Sequence, residues 1–297
     1  MLKAPALAVL VLVPIAVPVT AQDFWKHWGD GKAELDGYSL KQPRYGTLRD
    51  GRAVVVFVTE DFSDSLRVKA DPGKHPSSDV YPVLKVNVVR AFQTGIYDYR
   101  VMTSTFLRVA PGWPVVKVSF SSQEWCGQVW HQIVPRAGRL AGLFHSYFDG
   151  EADGTDDLPL PKDGLMEDAL PMLLRAWNGE YLRAGESRTV PFLPSLLWTR
   201  LNHRPLAWTK ATVARSAGVV AASVPAGRFR STTYTVEIDG GRTLGFEIEA
   251  APPYRLVRQT GPAGEELALR GSTRLAYWRL NGPGGEAHLE ELGLAAR

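Results

Sequence analysis

The sequence predicts a mainly β protein: a long, curved antiparallel sheet or half-barrel with one kinked helix packed on its concave face. Three observations predict it. Runs rich in Val, Ile, Phe, Tyr and Thr alternate apolar and polar residues at the period of a half-buried strand, as where Val116, Val118 and Phe120 alternate with Lys117, Ser119 and Ser121. The links between these runs are short, as at Thr94-Gly95, 111–114 and 135–138, and a parallel return would need a longer crossover. A single stretch, 163–178, repeats its apolar residues at helical spacing instead.

The N-terminus has one early charge, Lys3, an apolar run over 4–19, and the small-x-small end Val19-Thr20-Ala21. That is the pattern of a secretory signal peptide spanning 1–21, which predicts an extracytoplasmic, periplasmic protein beginning at Gln22. The run contains Pro14 and Pro18 and is short for a membrane span, and no later stretch is long and apolar enough to be one. With one cysteine in 297 residues there is no internal disulfide, so a core drawn from the 45% hydrophobic residues must hold the fold.

Three parts follow. Residues 22–148 form an N-terminal antiparallel β part, 149–180 an acidic loop and helix, and 181–297 a C-terminal β part continuous with the first. They carry 16 Lys+Arg against 12 Asp+Glu, 2 against 9, and 15 against 10, so two mildly basic parts flank an acidic insert. The basic residues are scattered along strands and not clustered, which argues against a nucleic-acid partner.

In chain order, the cluster Phe24, Trp25 and Trp28 predicts an aromatic plug at one end of a β structure. Strands are predicted over 53–59, 80–92, 96–109, 115–121, 125–134 and 139–148, with a loop over 63–78. Asp149, Glu151, Asp153, Gly154, Thr155 and Asp157 fall at positions 1, 3, 5, 6, 7 and 9 of a calcium loop, but its twelfth, bidentate position is Leu160, and Pro159 and Pro161 block the exiting helix. The segment therefore reads as an acidic loop without a metal. The helix over 163–178 starts at Asp163, ends at Gly179 and kinks at Pro171. Strands resume over 195–201, 207–215, 228–238, 243–250, 254–260, 265–270 and 274–280. Asp239-Gly240-Gly241 marks a hairpin between two of them, and 286–294 forms a last strand or tail.

The stretch VVKVSFSSQEWCGQVWHQI, 115–133, is where a catalytic site would be sought first, because it holds the sole cysteine and His131. On a regular strand Cys126 and His131 face opposite ways, so a nucleophile pair needs a bulge at Gly127. Cys126 reads as a buried small hydrophobe. His131 and His145, with Glu124 or Asp149, could form a metal site across neighbouring strands, but lone strand histidines are more often satisfied core or surface groups. No P-loop, dinucleotide fingerprint, Gly-x-Ser-x-Gly elbow or His-Glu-x-x-His occurs. No catalytic residue, metal ligand or cofactor is assigned. The alternative to a binding role is an extracytoplasmic hydrolase using Cys126 or a His/carboxylate group.

The stretch Val224-Pro225-Ala226-Gly227-Arg228-Phe229, followed by Pro252-Pro253-Tyr254-Arg255-Leu256-Val257-Arg258, resembles the V-P-A-G-x-F and P-x-x-V-R pattern of a family of exported bacterial β proteins of unknown function. That family is similar in architecture to the lipoprotein-carrier half-barrels, and the resemblance implies a curved antiparallel sheet wrapped around a helix and an apolar cavity. The FWKHWGDGKAELDGY and SSQEWCG stretches also resemble bacterial sequences labelled "septum formation inhibitor". That label belongs to a cytoplasmic nucleotide pyrophosphatase family whose Ser-x-Ser-Pro-Arg-Arg signature is absent here, so its activity is not carried over.

The predicted helix is apolar nearly all round and must be covered nearly all round. A sheet curved around it that does not fill its concavity leaves an apolar pocket. The expected site thus lies between Met166, Leu170, Leu173 and Trp177 on the helix and Tyr234 and Phe246 on the strands, with a lipid or other apolar molecule, or a partner chain, as ligand.

Overall fold

The computed structural model describes residues 21–294. The expected signal segment before residue 21 lies outside them. Fifteen strands among the described residues form one sheet: β1 (Ala33–Arg44), β2 (Thr47–Ser63), β3 (Val80–Thr94), β4 (Tyr97–Arg108), β5 (Val115–Glu124), β6 (Gly127–Arg136), β7 (Arg139–Ser146), β8 (Asp153–Pro159), β9 (Leu165–Met166), β10 (Ser187–Leu193), β11 (Thr209–Val224), β12 (Gly227–Ile238), β13 (Arg242–Glu249), β14 (Leu256–Thr260) and β15 (Glu266–Leu275). The spatial order runs from β8 down to β1, then from β15 down to β9. The chain therefore makes two antiparallel meanders joined where β1 pairs with β15. The two-residue strand β9 alone pairs in parallel, with β10.

This order forces the sheet to curl. Strands β8 and β9 are its two edges, yet only residues 160–164 separate them in the chain. Those six steps reach at most roughly 20 Å. A flat sheet of this many strands would be roughly 65 Å wide at the usual spacing. The sheet therefore bends round until its edges nearly meet, without closing. One hydrophobic cluster fills the concavity and draws on both meanders, with Phe57, Val86, Tyr99, Phe120 and Ile133 from one and Phe192, Val213, Val236, Phe246 and Leu269 from the other.

Two ends follow from the alternation of strand direction. At one end, helix α1 (Ala21–Trp28) buries Phe24 and Trp28 against Trp113 and Phe57, with ring centroids 5.5 Å and 6.2 Å apart. The aromatic stretch thus packs into this end of the interior. At the other end lie the β1–β2, β3–β4 and β5–β6 turns, the β7–β8 loop and the 194–208 link.

The long helix expected over 163–178 is not formed. Leu165 and Met166 are β9, a 3-10 turn covers Glu167–Ala169, and α2 (Leu170–Leu173) is one turn long. Pro171 sits in that first turn, where its missing N–H costs nothing. What stops the helix is the demand on both sides of it. Glu167 and Asp168 are held by backbone N–H groups of 195 and 196, while Arg175 donates to the carbonyls of Tyr254 and Pro253 at 2.9 Å and 2.8 Å. The segment instead runs through the interior as a largely irregular strap. Two further expectations are corrected. Residues 195–201, expected as a strand, form α3 (Leu196–Leu201), because Ser195 caps it by accepting from the Trp198 N–H at 3.1 Å. The acidic residues 153–159, expected as loop, form the edge strand β8, whose charges suit an edge that must not recruit another chain.

The strap is tied to the middle of the sheet by a buried ion pair. Arg175 lies 2.7 Å from Glu34 on β1, both side chains almost fully buried, with the guanidinium 4.4 Å from the Phe57 ring centroid. The Arg175 and His27 side chains hold the Glu34 pKa down to about 2 against the opposing effect of burial, which is the largest single influence. Asp36, two residues on and facing the same interior, has no such partner. Burial, and then the Glu34 charge, push it up to about 8 from 3.8.

The two carboxyls act in opposite directions on stability. Glu34 is depressed in the fold, so its contribution is complete above 4.5 and lost as pH falls towards 2. Asp36 is raised, so the folded state prefers it protonated, and stability falls as pH rises from 3.8 through 8. Thermal unfolding should show a maximum near the crossing of these two windows and a decline towards pH 8.5. Asp36→Asn should raise stability at pH 8.5 by on the order of 1–3 kcal/mol, the usual cost of a poorly compensated buried polar group, and change little at pH 5. Equal effects at both pH values would contradict the assignment.

Candidate functional site

Helix α3 and the link after it, 202–208, lie over the open end of the concavity and divide it in two. Leu196, Thr199 and Arg200 line a cavity of about 500 Å³ against the inner face of β5–β8. Leu197, Trp198 and Leu201 line a second of about 330 Å³ against β1, β3, β13, β14 and the link after β14.

The larger cavity has an apolar body. Phe120 on β5, Val129 on β6 and Phe144 on β7 share the inward face, since Phe120 pairs with His131 and His131 with Phe144. Leu196, Pro205 and Leu206 face them from the α3 side. Polar groups converge at its border. The imidazole of His131 lies 2.6 Å from the Asp156 carboxylate of β8, both side chains mostly buried. His203 lies 2.7 Å from Glu151, which also accepts from the Ser146 hydroxyl at 2.5 Å. Arg200 is 4% exposed, sits 3.7 Å from the Phe148 ring centroid, and has Glu151 at 3.6 Å as its carboxylate neighbour. Its buried Nε has no hydrogen-bond partner. Burial draws its pKa down, yet an arginine stays charged at neutral pH.

The His131–Asp156 pair spans an intervening strand, and one residue makes that possible. Gly142 of β7 pairs with both Ile133 and Asp156, and a Cβ there would stand 2.2 Å from an Asp156 oxygen. Glycine gives the Asp156 side chain the space it needs to fold towards β6.

The smaller cavity has two internal ion pairs in its lining, with Arg44 beside them. Arg90 binds Glu265 at 2.6 Å and Gln42 at 2.9 Å, and Arg242 is paired with Glu167. Glu167 and Asp168 also hold the start of α3, accepting from the N–H groups of Ser195 and Leu196 at 3.1 Å each. Burial pushes Asp168 up to about 7.

The six residues expected to form an apolar site lie elsewhere. Met166, Leu170, Trp177, Tyr234 and Phe246 are buried in the central hydrophobic cluster, and Leu173 packs against it half-buried. None of them lines either cavity beside α3. Cys126 is not a core residue. The hairpin turn falls at Trp125-Cys126, between β5 and β6, and leaves the thiol exposed. Its backbone N–H donates to Glu124 at 2.8 Å, and the hydrogen bond between thiol and Glu124 carboxylate raises the thiol pKa, the opposite of nucleophile activation. His131 and His145 do not converge. His145 pairs with Trp130, so it faces outward, where it meets Asp153 at 3.1 Å. Among the described residues no group of three or more His, Cys, Asp or Glu side chains could hold a metal ion. No helix among them is long and apolar enough to cross a membrane.

No protein-family model and no curated protein matches the chain. Among solved structures it is similar to a crystal structure from Brucella abortus described as a beta-barrel-like protein of domain of unknown function DUF1849. The identity is 10%, the TM-score 0.45, and the match covers 82% of this chain and 97% of that one. At this distance the neighbour lends neither ligand nor activity.

Gly142→Ala should separate His131 from Asp156, since the pair cannot keep its 2.6 Å contact with a methyl group in the way. The expected cost is about 1–3 kcal/mol of stability, as for overpacking at a tight site. NMR of the imidazole should show the loss of its carboxylate partner. An unaltered His131 signal in Gly142→Ala would contradict the close approach.

Proposed function

We propose that the chain is an exported, non-enzymatic envelope protein that binds a small amphiphile in the larger cavity under α3. The observation that carries this reading is the division of that cavity between an apolar body and a buried cation. Phe120, Val129, Phe144, Leu196 and Leu206 would cover a hydrocarbon moiety, and Arg200 would receive an anionic head such as a carboxylate or phosphate. The Arg200 guanidinium, whose carboxylate neighbour Glu151 stands off at 3.6 Å, is the donor group such a head would meet. A volume of about 500 Å³ lies within the range of small-molecule sites. Export rests on the N-terminal sequence, and a mature form starting at Gln22 in the native protein's mass spectrum is its test; an uncleaved chain would remove it.

The hydrolase alternative finds one observation in its favour, the His131–Asp156 pair, because a histidine held by a carboxylate is half of a nucleophile-activating arrangement. The other half is occupied elsewhere: Ser146 donates to Glu151, and Cys126 sits on a hairpin turn. Binding is therefore the better reading.

Titration with a dansyl-labelled fatty acid discriminates. Saturable binding is expected, weakened about tenfold by Arg200→Met, or about 1.4 kcal/mol. Leu206→Asp, which places a charge in the apolar wall, should weaken it at least as much. Binding indifferent to both changes would refute this cavity, and turnover of a p-nitrophenyl ester abolished by His131→Ala would favour the hydrolase.

A further inference from the structure

The hairpin tips at the α3 end carry a row of exposed aromatic and aliphatic side chains. Tyr45 in the β1–β2 turn, Ile96 in the β3–β4 turn, Trp125 in the β5–β6 turn and Tyr147 after β7 are 58%, 81%, 69% and 74% exposed. They are neighbours as well as exposed. The Tyr45 hydroxyl lies 3.4 Å from that of Tyr97, and the Tyr97 ring centroid is 6.4 Å from that of Trp125. Tyr147 covers Gly127, the residue following the Trp125-Cys126 tip, closely enough that a Cβ there would stand 2.4 Å from its ring. Tyr45, Tyr97 and Trp125 are thus linked in a row, and Tyr147 lies beside the Trp125-Cys126 hairpin.

Tips on alternate turns stand two strands apart, so four of them follow roughly 29 Å of the curled rim. The charges beside them are few and of both signs, with half-buried Arg44 next to Tyr45 and exposed Asp149 near Tyr147. Asp98 pairs with Arg100 at 2.8 Å, Arg44 donates to the Leu201 carbonyl at 2.7 Å and stacks on Tyr45, and Glu124 is buried. An elongated row of projecting tips suits a planar surface better than the concave or convex face of a globular partner. Tyrosine and tryptophan have an apolar body and a polar edge, the combination that places them at the boundary between hydrocarbon and water. We propose that this ridge seats the protein on the surface of a phospholipid bilayer, with Tyr45, Ile96, Trp125 and Tyr147 entering the interfacial layer. The near-neutral surroundings mean that attachment is driven by aromatic and apolar burial, with little dependence on anionic lipid or on salt.

Cys126 supplies the probe. It is the sole cysteine, it is exposed, and it shares the tip with Trp125. The full-length protein labelled there with an environment-sensitive nitrobenzoxadiazole dye is titrated with phosphatidylcholine vesicles. A blue shift with an emission rise of about twofold or more is expected as the tip leaves water. The double variant Ile96→Asp with Tyr147→Asp should require at least about tenfold more lipid, since charge is costly in the apolar layer. Both residues are exposed, so unchanged thermal unfolding is expected and checks that the variant is folded. The ridge is independent of what the cavity holds, and this variant should bind the soluble dansyl fatty acid with wild-type affinity. No spectral change at millimolar lipid, or the same lipid requirement for variant and wild type, overturns the proposal. A change that follows protein concentration without vesicles also overturns it, by placing a second copy of the chain on the ridge.

Discussion

The five-residue link between β8 and β9 is the constraint on which the rest of the structure depends. It joins the two edges of a sheet that, left flat, would hold them three times further apart than the link can reach. Curvature is thus fixed by connectivity as well as by strand twist. A curled sheet has an interior, and the interior must be filled. The strap from Leu165 to Trp177 fills it, because its apolar residues have no other surface to meet. Its path through the concavity lets α3 and the 202–208 link lie over the end it leaves open.

Charge inside this core does two different jobs. At the α1 end, Arg175 serves the fold: it stands 2.7 Å from Glu34 and donates to the carbonyls of Pro253 and Tyr254. Such a pair contributes less to net stability than its Coulomb energy suggests, since desolvation opposes it, but losing one partner would leave the other buried and uncompensated. At the α3 end the accounting is incomplete. Arg200 is also deeply buried, yet its carboxylate neighbour stands at 3.6 Å, against 2.7 Å for Arg175 and Glu34. That contrast between two buried arginines separates the functional reading of the cavity from a purely structural one. The carboxyls of Glu167 and Asp168 hold the start of α3, which places the wall shared by both cavities on groups that titrate.

Much of the β architecture was legible because alternation survives wherever one face of a strand is buried and the other is wet. The hairpins at Thr94-Gly95 and Asp239-Gly240-Gly241 were equally plain. The failures have separate causes. Strand β1 was missed because its inward residues include Glu34 and Asp36, so a central strand reads as polar. The 163–178 pattern was helical, but tertiary bonds from Glu167, Asp168 and Arg175 outweighed local propensity. In 195–201 the apolar run read as a strand, although Pro194-Ser195 before it was a usable helix-start signal. Cys126 reads as a strand residue because the turn between β5 and β6 has no glycine at its two central residues. The cavity itself was not legible. His131 and Asp156 are 25 residues apart and meet only across a third strand, through a glycine whose role depends on that register.

The central claim is that a ligand enters between the inner face of β5–β8 and α3, and not between the strap and the β12–β13 strands. Hydrogen–deuterium exchange with and without a saturating soluble fatty acid measures this directly. Added protection is predicted together in 142–156 and 196–206, with 165–177 and 228–250 unchanged. Protection confined to 165–177 and 228–250 would contradict the account and return the site to the apolar core around Leu170 and Phe246.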